Sequence, residues 1–295
     1  MKRSAIKAII KRVLTLLIIS AMTAVMSAAI PGATKVNANY LYPHFLSRNE
    51  QRYATHHAKN PGLPYSKVIS LVNANADLVF YEEIETAHDQ DSITILLNKN
   101  FILTDGFRPD DLESISSGHM LRAEAAEQFI KMREEMISLG YRIHLISTYR
   151  SHQTQQRKHA AGVASYGLVS ADRQYARAGH SEHQTGLAID ILHRSKSSEE
   201  RMSQVRFETT SEYAWLRENA HNYGFILRYP REYRHIHGYI FEPWHWRFVG
   251  VDVATAMRNE GITLYEEYYG RYLAPGVDDR QNAALGAPVR QSSFE

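Results

Sequence analysis

The stretch Gly179-His180-Ser181-Glu182-His183-Gln184-Thr185-Gly186-Leu187-Ala188-Ile189-Asp190 constrains this chain most. Histidines and carboxylates crowd its first half, and its second half runs into an apolar alternation. Leu187, Ile189 and Ile191 interleave with Ala188, Asp190 and Leu192. That period of two predicts a strand with Asp190 on the face opposite the three aliphatic residues. Gly186 permits a tight bend just before it. His183 then folds back over Asp190. An imidazole and a carboxylate meeting this way supply two of the three protein ligands of a catalytic zinc site. Surface histidines and strand carboxylates are also common, so the pair needs a third donor from elsewhere in the chain.

Cysteine is absent from all 295 residues. Disulfides, thiolate nucleophiles and Cys-zinc sites are excluded together, and any metal must be held by His, Asp or Glu. The length suits one large domain or a domain with an extension, and 44% hydrophobic residues is enough for a real core. The formal net charge of +2 hides an asymmetry. Residues 1–38 carry six of the 34 Lys/Arg and no Asp/Glu, which leaves 28 basic against 32 acidic residues in the body. A mildly acidic body argues against a nucleic-acid partner.

Along the chain, a basic start is followed by the apolar run Val13 to Ile30, then Pro31-Gly32 and the small-residue pattern Val36-Asn37-Ala38. Residues 1–38 are expected to be a secretory signal cleaved after Ala38, or else an uncleaved membrane anchor. Either places the body outside the cytoplasm. Residues 39–94 read as an N-terminal helical extension packed on the main domain. Within it Tyr65, Val68, Ile69 and Val72 predict one helix face. Residues 93–104 read as a strand and turn. A helix is expected over 119–139 from Leu121, Ala125, Phe129, Met132, Met136 and Leu139, with Gly140 closing it. Tyr141 to Thr148 reads as a buried strand, and Ser151 caps a helix running through Gln155. Residues 165–178 are expected to be loop or short helix and 193–210 a solvated connection. Ser211 is expected to cap a helix over 212–223 ended by Gly224. Strands follow at 225–229 and 236–249, the latter broken at Pro243, with a turn at 230–233. Helices at 251–259 and 263–273 close the domain, and the tail 274–295 reads as disordered.

The third donor is sought in Glu242-Pro243-Trp244-His245-Trp246-Arg247. With His183, Asp190 and His245 as ligands, a zinc ion keeps its fourth position for water, and Glu242 is the candidate base. In a regular strand residues three apart face opposite sides, so Pro243 must bring a bend or bulge that lets Glu242 and His245 converge.

Ser181-x-His183-x2-Gly186-x-Ala188-x-Asp190, followed by Glu242-x-Trp244-His245-x-Arg247, resembles the two signature motifs of the VanY-like zinc D-alanyl-D-alanine carboxypeptidases. That family also contains LD-carboxypeptidases of peptidoglycan. Ser147-Thr148-Tyr149-Arg150-Ser151-x3-Gln155 resembles a third family segment, and the three together span roughly residues 95–265. The joint match is far more specific than any one motif. The resemblance implies an α+β fold, a small mainly antiparallel sheet carrying the zinc with helices around it, over residues 95–273. It implies His183, Asp190 and His245 as Zn2+ ligands, Glu242 as general base, and Arg150 beside the scissile carbonyl. Gln155 and Ser181 match positions near the substrate, with a helix-surface amide and a loop cap as the alternatives, and Trp244 is expected as packing and pocket wall. The implied partner is a peptidoglycan stem peptide, either a pentapeptide ending D-Ala-D-Ala or a tetrapeptide ending in D-Ala. The expected protein is a secreted or membrane-tethered, cell-wall-associated monomer. Alternatives are a cell-wall endopeptidase with the same site and a non-catalytic peptidoglycan-binding module. His235 and His237, on one strand face by parity, are expected to line a solvated face, with a substrate or second-metal role as the alternative. His180 lies near His183, but the family ligand position maps to His183.

Overall fold

The alternation at Leu187, Ile189 and Ile191 is the axis of the molecule. In a computed structural model, which describes residues 42, 44–193 and 204–277, all three side chains are fully buried. They lie on or beside a strand at Ala188–His193, the centre of a four-stranded antiparallel sheet. The strands in chain order are β1 (Glu85–Thr86), β2 (Phe101–Ile102), β3 (Leu112–Ser116), β4 (His119–Arg122), β5 (Ile143–Ser147), β6 (Ala188–His193), β7 (Phe225–Leu227) and β8 (His245–Phe248). The main sheet has the order β5-β6-β8-β7, β3 and β4 form a hairpin, and β1 pairs with β2 in parallel. Helices surround these small sheets, as the α+β expectation requires.

Register places the chemistry. Asp190 on β6 stands opposite His245 on β8, and Ser147 at the end of β5 stands opposite Asp190 on its other side. Residues directly opposed on neighbouring strands share a face, so the sheet itself brings Asp190 and His245 together. The opposite face carries Ile189, Ile191 and Trp246 into the core. Helix Ala123–Ser138 joins the same core through Ala125, Phe129, Met132 and Met136.

Several local expectations are corrected. The helix predicted over 119–139 begins only at Ala123, because His119–Arg122 is taken by the hairpin that Gly118 turns with φ +77. Leu139 lies beyond the packed stripe and is 56% exposed. Strand β5 is an edge strand and half exposed, with Ile146 facing outward, so it is not the buried strand predicted there. Thr210, one residue before the predicted cap, accepts from Tyr213 N, and the helix Ser211–Asn219 passes into a 3-10 turn at Ala220–Tyr223. The connection before it is not all solvated, since Phe207 is fully buried. Residues 236–249 are not two strands: Arg234–His237 is a short helix, an irregular stretch follows, and only His245–Phe248 pairs. Of the closing helices, Val251–Glu260 matches, whereas 263–273 is the short helix Tyr265–Tyr268 and a π-helical turn at Tyr269–Leu273. Ala274 and Val277 are buried, so the tail predicted from 274 is still packed at its start.

The predicted helix at 65–72 is present as Tyr65–Asn73, preceded by a second helix at Glu50–Lys59. Asn73 ties it to the π-helical turn Tyr269–Leu273 and to the segment before the first helix, donating to Gly270 O at 2.9 Å and to His44 O at 2.8 Å. A Cβ at Gly270 has no room against the Ser70 carbonyl, so glycine sets this close approach. No described helix is long and apolar enough to cross a membrane. The expectations for residues 1–38 and 278–295 lie outside the described residues.

Candidate active site

Glu182–Thr185 forms one 3-10 turn, and Gly186 follows at φ +68. A Cβ there would lie 2.7 Å from Leu112, so both conformation and space demand glycine at this corner. The turn aims His183 back across the sheet. Its Nδ1–H donates to Thr148 O at 2.7 Å, which leaves Nε2 unprotonated in the neutral ring and 3.2 Å from Asp190 Oδ2. The backbone of Arg150 holds the same turn by donating to His183 O at 2.9 Å. His245 is held in the mirror sense. Its Nε2 lies 3.3 Å from Glu182 Oε2, and its Nδ1 lies 3.0 Å from Asp190 Oδ1. The two rings meet edge to face with centroids 5.0 Å apart.

One ligand atom each from His183, Asp190 and His245 therefore lies within 4.8 Å of the others, and all three residues are buried. Each imidazole has one nitrogen fixed by an oxygen behind it and the other turned to the shared aspartate. That is the outer support by which metal-binding histidines are oriented. Two imidazoles and one carboxylate are the donor types zinc takes, and three protein donors leave a position open. The residues present fit the ion.

The charges agree with such a role. Burial lowers His183 to about 4, and Arg150 adds to the effect, so its ring is neutral near pH 7. Burial pushes Asp190 up, but its electrostatic and polar contacts with the His183 and His245 rings outweigh it and hold the carboxyl well below its usual range. Burial also lowers His245, yet Asp190 and Glu182 override it and raise the ring to about 9.

Glu242 precedes β8 in a turn closed by His245 N donating to Glu242 O at 3.1 Å. This turn, rather than a bulge within a strand, brings the two together, with Glu242 Oε2 3.9 Å from His245 Nδ1. Burial raises Glu242 to about 8, and Asp190 pushes in the same direction against the pull of His245. Arg150 donates to Gln155 Oε1 and Ser147 Oγ, both at 2.7 Å, and reaches 4.0 Å from Asp190 Oδ2. Gln155, in the helix His152–Tyr166 that Ser151 caps, passes the restraint on through Nε2 to Ala176 O at 2.6 Å. Arg150, Gln155, Ser181, Glu242 and Trp244 line one cleft of about 140 Å³ with the three donors.

Three features were not singled out from the sequence. Glu182 is fully buried, with Oε1 accepting from Arg228 Nε at 2.7 Å and Arg247 Nη1 at 2.8 Å. Arg228 also pairs with Glu266 at 2.7 Å. Burial pushes Glu182 up, but the two guanidinium groups outweigh it and keep the carboxyl below its usual range. Tyr229 lies with its ring 5.0 Å from that of His245. Lys158, a turn beyond Gln155 on its helix, adds a cation to the cleft. The signal for Glu182 was its place inside the histidine motif. Arg247 stood in the second motif without an assigned role.

The remaining histidines fall elsewhere. His180 bonds Asn98 O at 2.9 Å and packs against Tyr81. His235 and His237 share no strand face, because they sit on a short helix. His237 is buried, donating to Pro230 O and accepting from Tyr239 N, while His235 is exposed. Both ring nitrogens of His237 are occupied, and among the described residues the only metal-competent cluster is that of His183, Asp190 and His245.

The profile of the VanY family, D-alanyl-D-alanine carboxypeptidase, matches residues 118–251. The putative carboxypeptidase YodJ of Bacillus subtilis (strain 168) is 34% identical over 202 residues, covering 65% of this chain and 72% of its own. The bifunctional D-Ala-D-Ala dipeptidase and D-Ala-D-Ala carboxypeptidase VanXYC of Enterococcus gallinarum is 34% identical over 185 residues, 62% of this chain and 95% of its own. Among solved structures, the LdcB LD-carboxypeptidase superposes with a TM-score of 0.58 at 33% identity, covering 64% of this chain and 91% of that one. A mutant VanY D,D-pentapeptidase from a VanB-type resistance cassette, in complex with Zn(II), gives 0.51 at 29% identity, covering 59% and 97%. Such relatives, the Zn(II) complex among them, support a zinc carboxypeptidase, and the buried His/Asp/His set is able to bind a metal. By the extent of these matches and the motifs they span, the chain belongs to the VanY family of D-alanyl-D-alanine carboxypeptidases.

Proposed function

We propose that this chain removes the terminal D-alanine from peptidoglycan stem peptides outside the cytoplasm. The observation that carries the reading is the placing of Glu242, a buried carboxyl in one cleft with a three-donor metal site and a restrained arginine. A binding module has no need of such a base.

His183, Asp190 and His245 would hold zinc. When bound, zinc supplies Lewis acidity, which makes a water molecule a better nucleophile and polarises a carbonyl. Glu242 accepts the proton that the attacking water gives up as its oxygen bonds to the scissile carbonyl carbon. It returns that proton to the nitrogen of the departing D-alanine as the C–N bond breaks. Arg150 stands where a fixed cation favours negative charge developing on the carbonyl oxygen. Its bonds to Gln155 and Ser147 fix it beforehand, so little reorganisation is needed as that charge forms. Glu182 holds His245 Nε2 and so presents Nδ1 to the site. Ser181 and Trp244 wall the cleft where the terminal residue would sit. The extracytoplasmic placement rests on the basic start and apolar run of residues 1–30.

The test is incubation of purified protein with penta- and tetrapeptide stems, with and without chelator, followed by mass spectrometry. The expected result is loss of one alanine from at least one stem, abolished by chelator and restored by zinc. Release that survives complete metal removal rejects the mechanism.

A further inference from the structure

Tyr239 lines two hollows. One is the catalytic cleft; the other is a larger groove of about 680 Å³. The segment 172–177 lies between them. Gln174, Tyr175 and Ala176 face the cleft, whereas Asp172, Arg173 and Arg177 face the groove. Ile240 N pins this wall by donating to Arg173 O at 2.9 Å. The cleft, at about 140 Å³, has room for little beyond a terminal residue, so most of a longer peptide must lie outside it. The groove is of the size that ligand sites commonly have.

Its lining is basic and aromatic. Five Lys/Arg face it against Asp172 and Glu232. Arg177 is paired with Asp172 at 2.8 Å and stacks 4.0 Å over Tyr81. Arg231 is drawn to Glu208 at 2.7 Å. Arg173 and Arg234 are exposed and, among the described residues, have no carboxylate partner. Lys99 is buried among three rings, its ammonium 4.0 Å from the Tyr239 ring, 4.9 Å from that of Tyr81 and 5.5 Å from that of Phe80, and it donates to the Asp172 carbonyl. A basic lining in which two exposed guanidiniums have no carboxylate to neutralise them favours an anion.

We propose that this groove is a second binding site, which takes a carboxylate-bearing stretch of the peptide on the acyl side of the scissile bond. The inference rests on the carboxypeptidase reading above, because that reading confines the leaving residue to the small cleft. Aromatic walls suit the aliphatic parts of such a peptide, and Arg173 and Arg234 supply the charge that selects it.

The test uses zinc-loaded protein and two peptides of equal length ending in D-alanine. One carries a free side-chain carboxylate upstream of the scissile bond, and the other its carboxamide. Wild type should prefer the anionic peptide. In Arg173→Gln/Arg234→Gln, kcat/KM for that peptide should fall about tenfold, mainly through KM, while the carboxamide changes less than twofold. Arg173→Lys/Arg234→Lys should recover much of the loss. Equal falls on both peptides would show a structural role only and overturn the proposal, as would no fall on either. If wild type cleaves neither peptide, the carboxypeptidase reading fails instead. Equilibrium binding of the anionic peptide then decides the groove: about tenfold weakening in the Gln variant supports it, and equal binding overturns it.

Discussion

Glu182→Gln is the most informative single change away from the reacting atoms. Glu182 has no exposed side-chain surface and takes three donors, Arg228 and Arg247 on Oε1 and His245 on Oε2. A glutamine keeps the shape but removes the charge. Its amide oxygen can serve the two arginines, whereupon its NH2 confronts the Nε2–H of a metal-competent His245. Glu266 alone then balances Arg228, and Arg247 is left with carbonyl acceptors at Ile93, Ile95 and Phe248. Removing one partner of a buried ion pair costs about 3–5 kcal/mol. For a folded unit of this size that is a fall in Tm of about 10 °C. Loss of the carboxylate behind His245 should also weaken zinc binding about 10- to 100-fold. The assay is thermal unfolding with zinc and with chelator, together with a competitive zinc titration. Glu208→Gln, which breaks the exposed pair with Arg231, serves as control and should cost less than about 1 kcal/mol. The pH dependence has a definite sign. The folded carboxyl is held below its ordinary value of 4.5, so its contribution is complete above that pH and is lost as pH falls toward the folded value. The gap between wild type and variant should therefore narrow in acid. A Glu182→Gln protein with unchanged Tm and unchanged zinc affinity would refute the argument.

Arg150→Ala should lower kcat about 100-fold while zinc content stays near one per chain, measured by steady-state kinetics and elemental analysis. Loss of the metal instead would make Arg150 a structural prop of the His183 turn. Zinc binding to metal-free protein at pH 7 should release at least one proton, because His245 is raised to about 9 there and must lose its Nδ1 proton to become a ligand. Calorimetry in buffers of different ionisation enthalpy reads the number, and zero release would contradict the assignment.

The site was more legible in the sequence than the fold around it. His183, Gly186 and Asp190 are close along the chain, and period-two burial fixes which way each side chain points. His245 was found only through the second motif, since nothing local announces that β8 pairs with β6 in the register that sets His245 against Asp190. Propensity misled where tertiary pairing intervened. His119–Arg122 fits a helical stripe but pairs with β3, and Tyr233–Tyr239 alternates like a strand yet coils into a short helix. Glu182 was hidden for a different reason. A glutamate in a loop reads as solvent-facing until Arg228 and Arg247, 46 and 65 residues away, are seen to enclose it.

The central claim is that His183, Asp190 and His245 hold the metal while Glu242 handles the proton. It is tested most directly by measuring zinc content and stem-peptide turnover side by side in Glu242→Ala. The account predicts about one zinc per chain and no detectable release of D-alanine. A variant that still turns over substrate, or one that fails to retain zinc, would contradict it.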